Sequence, residues 1–101
     1  MSLKKQYSKT KQVCKITFVL EKELVANATK VTLAGDFNNW DMENTPLKKS
    51  KNGEFKTSLE LENGREYQFK YVIDGREWIN ETEADKFVPN EFQSENSVVV
   101  A

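Results

Sequence analysis
Three dipeptides, Asn52-Gly53, Asn63-Gly64 and Asp74-Gly75, divide the second half of the chain at regular intervals. Asn-Gly and Asp-Gly pairs favour the positive-φ conformations of tight reversals, so chain running between them is expected to fold back on itself in hairpins. The intervening side chains alternate. In residues 54–61 Phe55, Leu59 and Leu61 face one way and Glu54, Lys56, Ser58 and Glu60 the other. Residues 65–74 set Tyr67, Phe69, Tyr71 and Ile73 against Gln68, Lys70, Val72 and Asp74, and residues 13–20 put Cys14, Ile16, Phe18 and Leu20 on one face. A repeat of two residues is the period of a pleated strand. Short strands are also expected at 30–34, 46–49, 77–79 and 97–100. Only residues 21–29 and 80–88 have room for a helix, and each is short enough to be a loop or a single turn. The pattern predicts an all-β, antiparallel β-sandwich of immunoglobulin-like type.

With 101 residues the chain forms one domain, expected over residues 13–101 and preceded by a flexible lysine-rich lead-in over residues 1–12. One cysteine, Cys14, excludes an internal disulfide, and the lack of histidine removes the usual soft metal clusters and any Ser-His or Cys-His nucleophile. No metal and no cofactor are expected. No apolar run is long enough for a signal sequence or a membrane span, so the expected setting is cytoplasmic, without membrane contact. A net charge of −1 with 31% charged residues gives no electrostatic reason to expect nucleic acid. Glycoside hydrolysis needs two carboxyl groups about 5–10 Å apart across a cleft. The acidic cluster Glu81, Glu83 and Asp85 reads instead as a solvated loop. The chain is expected to bind rather than to catalyse.

What it binds is suggested by LAGDFNNWD, residues 33–41. If the strand before it ends at Gly35, then Asp36, Asn38 and Asn39 make a turn and Trp40 stands on the rim of the sandwich. Trp78 follows the Asp74-Gly75 turn on the return strand of a hairpin whose outgoing strand carries Lys70. A register pairing Ile73 with Arg76 would set Tyr71 opposite Trp78. Taken singly, a tryptophan in a small β-domain is more often core, an asparagine pair is usually a turn, and Lys70 is an ordinary surface lysine. Together they form a sugar-binding set. The apolar face of a pyranose lies on an indole while its hydroxyls need donors and acceptors at the edge. Covering a third of a tryptophan is worth about 3 kcal/mol gross. Two rings, less the cost of ordering an oligosaccharide, correspond to roughly millimolar to high-micromolar affinity.

The elements GDFNNWD at 35–41, PL at 46–47, YQFKYVIDG at 67–75 and Trp78 resemble the family 48 carbohydrate-binding modules. That family includes the glycogen-binding domain of the AMP-activated protein kinase beta subunit and the N-terminal early-set domains of isoamylases and glycogen branching enzymes. The resemblance spans about residues 13–100. It implies a glucan site made of Trp40, Lys70, Trp78, Phe92 and Asn96, with Phe92 bracing the glucan and Asn96 bonding a hydroxyl. The segment ADKFVPNEFQ also resembles bacterial early-set domains, with Phe87 in place of their tyrosine and Gln93 in place of their glycine.

The expected partner is therefore α-1,4-glucan of the glycogen or starch type, bound by a free-standing module or one acting in trans with a glucan-metabolising enzyme. A different class, a protein-interaction module that recruits or regulates such an enzyme, is the alternative. Single-stranded nucleic-acid binding is a third, distinguished by a steep salt dependence that glucan binding lacks. Oligomeric state is not written in the pattern.

Overall fold
A computed structural model of the chain describes residues 2–91 and 94–101. Among the described residues ten strands form two antiparallel sheets packed as an immunoglobulin-like sandwich. The first sheet has β1 (Ser2–Tyr7), β2 (Val13–Leu20), β6 (Phe55–Glu62) and β5 (Lys48–Lys49), adjacent in that order. The second runs β4 (Thr45–Pro46), β3 (Val31–Gly35), β7 (Glu66–Ile73), β10 (Glu95–Val100), β9 (Lys86–Pro89), with β8 (Glu77–Ile79) also paired to β7. Phe18, Phe69 and Tyr71 meet edge to face between the sheets, with ring centroids 5.2 Å apart for Phe18–Phe69 and 5.8 Å for Phe69–Tyr71. These are the alternate residues of β2 and β7, so period two builds the core directly.

Five sequence expectations are revised. Residues 46–49, expected as one strand, divide between the two sheets, with Pro46 ending β4 and Lys48–Lys49 forming β5. Ser2–Tyr7, placed in the lead-in by the sequence pattern, is an edge strand paired along its length with β2, from Ser2↔Val19 to Tyr7↔Cys14. Lys86–Pro89, which begins inside the stretch 80–88 offered as helix or loop, is strand β9. The acidic cluster is only partly solvated: Glu83 and Asp85 are exposed, but Glu81 is fully buried. Burial of a carboxyl requires compensating bonds, and Glu81 has them, from the Tyr71 hydroxyl at 2.7 Å and the Glu83 N–H at 3.0 Å.

The hairpin register also moves by one residue. Ile73 pairs with Glu77 and Val72 with Trp78, leaving Asp74, Gly75 and Arg76 in the loop. Asp74 explains the extra residue. It takes the left-handed conformation at φ 53° and its Oδ1 accepts the N–H groups of Thr29 and Lys30 at 2.9 and 2.8 Å, which fastens the loop to the neighbouring turn. Those two N–H bonds hold the Asp74 carboxyl below its usual range.

Candidate functional site
The central strand β7 changes partners along one edge. Phe69 and the residues before it pair with β10, whereas Tyr71, Val72 and Ile73 pair with β8. Lys70 lies between the two ladders. Its neighbours Phe69 and Tyr71 point into the core and are wholly buried, so Lys70 and Gln68 are carried on the opposite, outer face. The three-residue hairpin loop puts Trp78 on that face as well, opposite Val72. The register expected from the sequence would have opposed it to a core residue.

The junction between β8 and β10 is held by Asn80. Its side chain donates to the Glu95 carbonyl at 2.9 Å and accepts from the Ser97 N–H and hydroxyl at 3.1 and 2.9 Å. The Ser97 hydroxyl oxygen in turn accepts the Glu81 N–H at 2.8 Å. The strand carrying Trp78 and the strand carrying Asn96 are thus tied together by polar bonds where the sheet itself is interrupted.

Trp40 reaches the same face from the β3–β4 connection. Gly35 closes β3 against Phe69, and a Cβ there would stand 2.5 Å from the Gln68 carbonyl oxygen and 2.8 Å from the Phe69 Cβ, so only glycine permits this approach. Phe37 is the residue of the turn that packs inward, 6.2 Å from Phe18 and 6.5 Å from Phe69 between ring centroids. Asn38 secures the loop, accepting from the Gly35 N–H at 3.1 Å and donating to the Leu33 carbonyl at 3.0 Å and the Thr45 hydroxyl at 2.9 Å. With Phe37 and Asn38 holding the loop, Trp40 is released from the core. Asn39 and Trp40 both adopt left-handed backbone, at φ 57° and 60°, an uncommon state for a bulky side chain. The indole N–H donates to Asp36 Oδ1 at 3.2 Å.

Trp40, Lys70, Trp78 and Asn96 border one open concavity of about 770 Å³, together with Gln68, Asn90, Glu91 and Ser94. Trp78 is 40% exposed, while Trp40, Lys70 and Asn96 are half-buried. Both indoles are therefore accessible from the same side of the molecule. Among the described residues no carboxylate forms an ion pair with Lys70, which leaves its ammonium available for hydroxyl oxygens. Phe92, the fifth residue expected at the site, lies outside the described residues. Small buried side chains, Ala34, Val72 and Val98, occupy the outward positions of the sheet beside these residues.

Gln68, Asn90, Glu91 and Ser94 were not singled out by the sequence pattern. Gln68 could have been, since it precedes Lys70 by two residues on the outer face. The other three come from the connection after β9 and carry no local signal. The site offers two aromatic faces, one cation, one carboxylate, three amides and a hydroxyl, which suits a ligand without net charge that has apolar plates and many hydroxyl groups. No curated protein matches the chain. Residues 16–101 match the family described as the glycogen recognition site of AMP-activated protein kinase, and the chain belongs to that family of carbohydrate-binding modules.

Proposed function
We propose that the chain binds α-1,4-glucan, a glycogen- or starch-like polysaccharide, without transforming it. Trp40 and Trp78 stack on glucose units, Lys70 and Asn96 bond to their hydroxyls, and Phe92 braces the chain. One observation carries this reading: two accessible indoles and an ammonium that has no ion-pair partner among the described residues border one concavity in a member of a glycogen-recognition family. Carbohydrate-binding modules are in general non-catalytic, and their weak single-site affinity becomes useful on a polymer that repeats the epitope. Such a module serves a glucan-metabolising enzyme in trans by holding it near its substrate.

Affinity electrophoresis against glycogen, amylose, cyclodextrin and a soluble cellulose tests the proposal. Retardation by the three α-glucans, with none by the β-glucan and little change with salt, is expected. Equal retardation by cellulose would place the specificity elsewhere, and a steep salt dependence on single-stranded nucleic acid would replace sugar by phosphate as the ligand.

A further inference from the structure
Gln68 connects the two halves of the concavity. Its backbone N–H donates to Asp36 Oδ2 at 2.8 Å, and Asp36 also holds the indole of Trp40. Its side-chain Oε1 accepts from Asn96 Nδ2 at 3.0 Å. Asn96 Oδ1 accepts from Asn90 Nδ2, also at 3.0 Å. A carboxamide has two N–H donors and two acceptor lone pairs, and turning it over exchanges them. For Asn96, one bond on each side fixes the sense. Its nitrogen faces Gln68 and its oxygen faces Asn90, which leaves one N–H and one lone pair for a ligand.

We propose that Gln68 is a positioning residue of this site, whose carboxamide oxygen, acting with Asn90 on the other side, holds the Asn96 amide in one orientation and so determines where a sugar hydroxyl meets a donor and where an acceptor. The inference rests on the glucan reading of the concavity. An amide held in one sense avoids the ordering cost that a freely turning one incurs on binding. Bonds in series also polarise one another: the bond accepted from Asn90 strengthens the remaining N–H of Asn96 as a donor, and the bond given to Gln68 strengthens its remaining lone pair as an acceptor.

The test is a double-mutant cycle read by glycogen affinity electrophoresis, with the thermal midpoint of every variant measured beside it. Gln68→Leu should weaken binding about threefold to tenfold, the worth of one neutral hydrogen bond. Gln68→Glu retains an oxygen that accepts from Asn96 and should bind within about twofold of the unaltered chain. In an Asn96→Ala background, Gln68→Leu should cost nothing further. Additive losses would show that Gln68 meets the sugar itself, and unchanged binding by Gln68→Leu would remove any role; either result overturns the positioning assignment. A loss that Gln68→Glu does not restore, accompanied by a fall in thermal midpoint, would make Gln68 a structural residue only. If the unaltered chain is not retarded, or Asn96→Ala binds as well as it does, the glucan reading of Asn96 fails first and the inference falls with it.

Discussion

The indole N–H of Trp40 donates to one oxygen of Asp36 at 3.2 Å, and the other oxygen of that carboxylate accepts the backbone N–H of Gln68 at 2.8 Å. One side chain thereby fastens the rim loop to the central strand and orients the ring that the loop presents. Asp36→Ala leaves both donors without their partner and should lower stability by about 1–2 kcal/mol in urea unfolding. Asp36→Asn supplies a single oxygen and sets an NH₂ group against the second donor, so it should fall between the two. Glycogen retardation should weaken in the same order, because the indole has lost its tether. Reduced stability with unchanged retardation would separate Asp36 from recognition.

Trp78 and Trp40 differ in what their replacement should do. Trp78 is 40% exposed on a short strand, so Trp78→Ala should weaken glycogen binding by about tenfold or more while the thermal midpoint scarcely moves. Trp40 sits at φ 60°, a conformation that costs a non-glycine residue about 1–2 kcal/mol. Trp40→Gly should therefore melt no lower than Trp40→Ala, although both should lose binding alike. A collapse of the midpoint in Trp78→Ala would assign that indole to the fold.

Much of this architecture was legible because β2, β6 and β7 carry their large core side chains at alternate positions. Residues 13–20 and 77–79 are strands over the bounds their patterns give, and Trp40 stands on the rim because Phe37, three residues earlier, packs inward in its place. The rest depended on bonds between residues far apart in sequence. Nothing near Glu81 announces that Tyr71 and Ser97 will receive it, ten and sixteen positions away. The hairpin register turned on Asp74 reaching back to Thr29 and Lys30, and that contact moved Trp78 to the face of Lys70. β9 was obscured because its residues are mostly exposed and it ends in proline, which lacks the N–H of a strand ladder. The residues expected at the site came from motifs, whereas the amides that surround them came from the fold.

Gly35→Ala tests how the rim loop is seated. The backbone at Gly35 is extended, so the substitution meets no dihedral penalty, yet its methyl would stand 2.5 Å from the Gln68 carbonyl oxygen and 2.8 Å from the Phe69 Cβ. Neither atom belongs to the free end of a flexible side chain. Relief requires β3 and β7 to separate where Phe69 fills the core, and overpacking of that kind costs about 1–3 kcal/mol. Calorimetry should show a midpoint lower by several degrees, and glycogen retardation should fall because Trp40 and Gln68 move apart. A normal midpoint would mean that the two strands are less closely seated than this contact implies.

Glu81 should make stability depend on pH in the sense opposite to most carboxylates. Burial pushes its carboxyl above the usual range, against the hydrogen bonds from Tyr71 and the Glu83 N–H. Between the ordinary value of 4.5 and that raised value, the folded chain holds more protons than the unfolded one, so stability contributed by this group falls as pH rises and then levels off. Asp74 and Asp85 act the other way. The Lys30 and Thr29 N–H groups lower Asp74; burial pushes Asp85 up, but the Lys5 ammonium and the Val100 N–H outweigh it, so both favour folding until acid protonates them. Comparison with Glu81→Gln cancels those two contributions, since both proteins retain them. Glutamine does not titrate, so urea unfolding of both chains between about pH 4 and pH 8 should show Glu81→Gln gaining on the unaltered chain as pH rises through the window. The gain should be greatest above the raised value and should vanish at the acid end, apart from a constant offset for the altered bond to Glu83. A difference that holds constant across the whole range would mean that Glu81 does not exchange its proton on folding, and that its burial with Tyr71 is matched by the bonds it receives.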